Sequence, residues 1–162
     1  MKLARQENGH FVFDLGRREK ELLLLVARRY PLVPATRHRV RQGPISKADA
    51  EKQQLLDAAL AGHRQERRRQ ALALVNDARS FQPKPDGYWW RLSASQVEWL
   101  LQILNDVRVG SWLALGEPEE FDEKALERGN EGDWLTMEAA GHFETALLEA
   151  LGVQQPPLSE IE

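Results

Sequence analysis

The chain of 162 residues contains no cysteine. Disulfides, thiolate metal sites and cysteine nucleophiles are excluded together, and a reducing, cytoplasmic setting is the expectation. Long hydrophobic runs are also missing. The most apolar stretch, Leu22 to Ala27, is far shorter than the roughly 20 residues that span a bilayer. The charged, polar start from Met1 to Gly9 lacks the apolar segment of a signal peptide. Neither a glycine-rich phosphate loop nor a nucleophile-elbow pattern occurs. With no catalytic motif visible, the expectation is a non-enzymatic protein without cofactor or metal.

What is present describes a globular chain, 42% hydrophobic and 29% charged. Its length fits one domain with a sizeable core. That domain is expected over 1–152, with 153–162, which holds Pro156-Pro157, as a mobile tail. The net charge of −3 hides a division. Met1 to Arg91 carries 19 Lys/Arg against 10 Asp/Glu, a balance of +9, whereas Leu92 to Glu162 carries 3 against 15, a balance of −12. Such polarity marks either a surface for an anionic partner or two halves that fold together and neutralise one another; the second is favoured because nothing separates the halves.

Along the chain, His10 to Leu15 reads as a short strand, and Arg17 to Arg29 as a helix that Pro31 and Pro34 terminate. A basic loop over 35–45 precedes Ser46 and Asp49, a capping pair for a long helix from Lys47 to about Arg79. The middle of that helix, residues 62–70, has no apolar side chain, so it is expected to be solvated. Pro83 to Gly87 reads as a loop and Tyr88 to Leu92 as a second strand. Ser93 and Gln96 form a capping box for a helix over Ala94–Leu115, apolar on nearly every side, with Trp99 and Trp112 expected in the core. A short acidic helix over Glu117–Arg128 and a last helix capped by Thr136 and ending at Leu151 complete the reading. The fold class expected is mainly α: an all-helical bundle of four to five helices carrying a small two-stranded β-ribbon.

A shift of 77 positions aligns the two strand–helix units. Phe11, Phe13, Leu15, Glu21, Leu23 and Leu24 fall on Tyr88, Trp90, Leu92, Glu98, Leu100 and Leu101. The expectation is an internal pseudo-repeat whose strands pair about a pseudo-two-fold axis.

The segment Trp99-Leu100-Leu101-Gln102-Ile103-Leu104-Asn105-Asp106-Val107-Arg108 resembles a bacterial family of unknown function often encoded next to the Clp protease adaptor. That family has a similar tryptophan–leucine, then leucine–asparagine–aspartate–leucine–arginine run. It also has a leading Glu-x-x-Leu-Leu, echoed at Glu19 to Leu23 and Glu21 to Leu25. The chain departs from it at Gly110-Ser111-Trp112. The resemblance implies no known activity and at most a regulatory or adaptor-linked role.

Three sets of residues are candidates for function. Asn105, Asp106 and Arg108 are polar in an apolar helix, and buried polar groups need partners; they suit a register-fixing network or a polar interface with a protein partner or a second copy of the chain. Arg37, Arg39 and Arg41 with Arg64, Arg67, Arg68 and Arg69 form basic segments that would bind nucleic-acid phosphates. No aromatic residue interleaves with them, which argues against base stacking. Glu138 and His142 are four apart on a helix, but two ligands do not make a metal site. An interaction or regulatory protein is therefore the leading expectation, with nucleic-acid binding through 37–41 and 64–69 as the alternative.

Overall fold

In the computed structural model, which describes residues 1–33, 46–119 and 129–152, the chain opens with a hairpin. Strand β1 (Lys2–Glu7) and strand β2 (His10–Gly16) meet at Asn8-Gly9, where φ is 49° and 74°. Two positive φ values in a row define the hairpin turn whose twist matches the strands, and Asn-Gly adopts it at low cost. Helix α1 (Arg17–Arg29) and helix α2 (Lys47–Asn76) follow. The same order then recurs: β3 (Phe81–Lys84), β4 (Gly87–Ser93), α3 (Ala94–Ala114) and α4 (Glu131–Ala150).

The strands form one antiparallel sheet in the order β1-β2-β4-β3. Central to it is the β2–β4 pairing, in which Phe13 lies opposite Trp90. Trp90 is the residue 77 positions beyond Phe13, so a local two-fold axis runs between them. Phe11 opposite Leu92 and Leu15 opposite Tyr88 are exchanged by the same rotation. The repeating unit is larger than the sequence pattern indicates. It comprises a hairpin and the helix after it, and α1 and α3 begin 77 positions apart.

One face of the sheet makes the core. Phe13, Leu15, Trp90, Leu92 and Phe81 are buried with residues from all four helices, among them Leu23 and Val26 of α1, Leu74 of α2, Leu100, Ile103 and Leu104 of α3, and Phe143 and Leu147 of α4. Among the described residues, the helices therefore lie on one side of the sheet and none on the other, an α+β arrangement. The expectation of an all-helical bundle with a two-stranded ribbon is overturned by this four-stranded sheet. Its two extra strands lie at the edges, where a strand needs only one partner. β1 has a single large apolar side chain, Leu3, and β3 carries Pro83, which edges tolerate and central strands do not.

Cap chemistry sets the helix starts. Ser93 Oγ accepts the Gln96 N–H at 3.2 Å, and Gln96 Oε1 accepts the Ser93 N–H at 2.8 Å. Ser46 Oγ likewise accepts the Asp49 N–H at 3.2 Å. α2 continues unbroken through Gly62, its middle solvated. α4 begins at Glu131, before Thr136. Thr136 is not a cap: it is buried, and its Oγ1 donates to Gly132 O at 2.6 Å. Trp99 and Trp112 do not anchor the core either. The largest fully buried side chains are Trp90, Phe13 and Phe143, whereas Trp112 is 38% exposed. The short helix expected over Glu117–Arg128 and the tail over 153–162 lie outside the described residues, apart from 117–119, which are not helical.

Candidate functional site

The polar residues of α3 point three ways. Asn105 is exposed and its side chain makes no hydrogen bond among the described residues. Asp106 turns toward the end of α1, where Oδ1 accepts the N–H groups of Leu32 at 2.6 Å and Val33 at 3.3 Å. Arg108 turns toward α4 and donates to Glu144 Oε2 at 2.6 Å. The three residues thus do not converge on one patch.

Most of the described basic segment is also committed. Arg64 donates through Nη1 to Val33 O at 2.9 Å and through Nη2 to Pro31 O at 2.8 Å. Arg68 donates to Arg28 O, one of the carbonyls that the end of α1 leaves without a helical partner. Cations at a helix C-terminus also complement its dipole. Arg69 holds Glu66 in a two-point contact at 3.0 and 2.7 Å. Arg67 is exposed. Arg37, Arg39 and Arg41 lie outside the described residues.

Arg64 and Asp106 therefore grip one short stretch, residues 31–33, from opposite elements. Arg64 on α2 takes its carbonyls and Asp106 on α3 takes its amides. Leu32 packs directly over Gly110 of α3. Tyr30, buried at the start of this stretch, has its phenol pushed above the ordinary value by burial, with Arg67 opposing and Asp106 adding to the shift. Arg29 extends the grip to α4, donating to Gly132 O at 3.1 Å and Thr136 Oγ1 at 3.0 Å and pairing with Asp133. Asp106→Ala is expected to cost about 1–2 kcal/mol in a urea melt, because two half-buried amides lose their acceptor.

A groove of about 790 Å³ runs along the outer side of the α3–α4 pair. Its apolar wall includes Val109 and Trp112 from α3 and Met137 and Ala146 from α4. Glu138, His142 and Glu149 line the α4 side. Glu138 and Glu149 make no ion pair among the described residues. At one end, Glu19 works with both oxygens. Oε2 accepts the Gly16 N–H at 2.8 Å, capping α1, while Oε1 contacts the Met1 amine and His142 Nε2, the latter at 2.9 Å. Burial, then the neighbouring Met1 ammonium, hold the His142 imidazole below its usual value. Burial lowers the Met1 amine as well, with Asp14 opposing and Lys2 adding to the shift. His142 Nε2 is thus turned to Glu19. Among the described residues no cluster of three or more His, Asp or Glu could hold a metal ion, and no helix is long and apolar enough to cross a membrane.

The groove escapes sequence reasoning because the pattern places Trp112 in the core, whereas it stands on the exposed side of α3 in line with Glu98, Gln102, Asn105 and Arg108. No protein-family model, curated protein or solved structure matches the chain.

Proposed function

We propose that the protein is a non-enzymatic interaction protein that receives a basic amphipathic helix of a partner in the α3–α4 groove. The observation that carries this reading is the exposed Trp112 in a groove that also holds Val109, Met137 and Ala146, with Glu138 and Glu149 unpaired among the described residues while the one lining arginine, Arg108, is paired with Glu144. Tryptophan is a frequent anchor of binding energy, and methionine adapts to varied apolar partners. A helix laid in such a groove presents its apolar face to Val109, Trp112 and Met137. Lysines or arginines on its flank meet Glu138 and Glu149, which steer orientation and association rate. The alternative, nucleic-acid binding through 37–41 and 64–69, is less favoured, since Arg64, Arg68 and Arg69 each donate to an acceptor within the fold.

The test uses two synthetic amphipathic helices with one apolar face, one flanked by lysine and one by glutamate. The lysine helix is expected to bind and the glutamate helix not. Trp112→Glu should weaken binding by about thirty-fold or more, the scale of a tryptophan anchor. Failure of both helices to bind, or binding indifferent to Trp112→Glu, overturns the reading. Sedimentation equilibrium without peptide reports the competing outcome, in which the occupant is a second copy.

A further inference from the structure

The side of the sheet that faces away from the helices carries its own chemistry. Strand register places Lys2, Asp14, Trp89 and Gln82 in one row across it. The next row holds Arg5, Val12 and Arg91. Val12 is only 2% exposed yet stands outside the main core cluster, so something on the open side covers it. The Arg5 guanidinium carbon lies 5.6 Å from the centre of the Trp89 ring. Arg5 is on β1 and Trp89 on β4, with β2 between them, so this contact passes over β2 and roofs Val12. Trp89 therefore lies along the sheet and remains part-exposed.

Cations surround this ring. Lys84 Nζ sits 4.6 Å from its centre, held there by Asp14 at 2.7 Å and Asp86 at 3.1 Å. The Asp14 carboxylate, with its hydrogen bond the leading cause, raises the Lys84 ammonium above its ordinary value. Lys2 and Arg91 make no ion pair among the described residues. Lys2, Arg5, Lys84 and Arg91 stand against Glu7, Asp14 and Asp86 here; Arg5 pairs with Glu7 at 3.2 Å and Lys84 with both aspartates, which leaves Lys2 and Arg91 as the surplus charge. All four strands also belong to the basic part of the sequence.

We propose that the open face of the sheet binds single-stranded nucleic acid, with the Trp89 ring and the Arg5 guanidinium against it as the stacking surface and Lys2 and Arg91 as phosphate contacts. The pairing of an aromatic plane with a cationic track is what sequence-tolerant single-strand binding requires. A duplex keeps its base faces stacked away and cannot use Trp89, whereas an unpaired base can. Neutralised phosphates release counterions, so affinity falls with salt. This surface is separate from the arginines of α2 and goes beyond the helix-binding groove.

Fluorescence polarisation of a labelled oligothymidylate of about 12 nucleotides, within the range such sites occupy, tests the proposal at low salt. A hairpin duplex and vesicles of phosphatidylserine compete in parallel. The single strand is expected to bind and to displace better than either competitor. Trp89→Leu removes the ring face and leaves an apolar side chain beside Val12; it should weaken binding by about tenfold or more, and Trp89→Tyr should restore most of it. Lys2→Ala and Arg91→Ala should each lower the salt slope by about 0.7. Thermal melts of the variants separate lost binding from lost fold. Equal binding of duplex, preference for vesicles, or loss through Arg67→Ala but not through folded Trp89→Leu overturns the proposal. Trp112→Glu should leave oligonucleotide binding unchanged, so the two surfaces stand or fall separately.

Discussion

Trp90→Ala should cost about 3–5 kcal/mol, the range for removing a large buried aromatic. Trp90 is fully buried on the strand pair through which the local two-fold axis passes. Its ring stacks on Phe81 with centres 5.2 Å apart and planes 6° from parallel, and its indole N–H donates to Ser80 Oγ at 3.2 Å. One side chain thus joins both hairpins and the β3 edge. Domains of this kind are stable by only about 5–15 kcal/mol, so the variant should lie near the limit of folding. A shift of about 2–4 °C per kcal/mol predicts a melting temperature lower by roughly 10 °C. Trp90→Phe retains most of the ring and should recover most of the loss. A urea-melt difference under about 1 kcal/mol for Trp90→Ala would show that the centre of the core lies elsewhere.

The second large effect is a contrast between two glycines in helices. A methyl group at Gly62 meets no atom within 4 Å, so Gly62→Ala should stabilise α2 by about 0.5–1 kcal/mol through backbone propensity alone. At Gly110 the same methyl would lie 2.7 Å from Leu32 Cγ, 2.8 Å from its Cβ and 3.0 Å from its carbonyl carbon. Leu32 cannot simply retreat, because Asp106 holds its amide and Arg64 holds the carbonyls on either side. Overpacking of this kind costs about 1–3 kcal/mol, more than the propensity gain. Gly110→Ala should therefore destabilise while Gly62→Ala stabilises, and Gly110→Val should be worse. A stabilising result at Gly110 in urea melts would mean that residues 31–33 are free to move.

Much of the fold is visible in the residues, and the parts that are not share a cause. α1 is legible from its flanking prolines and its leucines, and α3 from the Ser93–Gln96 box, because those signals are local. β2 and β4 announce themselves through Phe11, Phe13, Trp89 and Trp90. β1 does not, since Lys2 to Glu7 offers Leu3 and little else. Its one clear signal is the Asn8-Gly9 turn, which specifies a hairpin and hence a strand on both sides. β3 is hidden by Pro83, which reads as a loop unless the strand is at an edge. These misses turned a four-stranded α+β sheet into an expected ribbon on a bundle. The candidate sites follow the same logic. Asp106 is identifiable as a polar group needing partners, but its partners are backbone amides 73 and 74 residues away, which no spacing reveals. Arg64 and Arg68 look like a solvated basic run for the same reason. Trp89 in the company of cations depends on strand register, so the aromatic and basic residues that seem apart in the sequence meet only in the sheet.

Both outer strands have consequences for how the molecule meets its neighbours. The bulge between Leu3 and Arg5 breaks the regular ladder of β1, the charges along that strand repel a flat approach, and Pro83 removes a donor from β3. Neither margin offers a template on which a foreign strand could grow. Fibre-like self-addition is thus disfavoured at the two places where a sheet is most vulnerable to it.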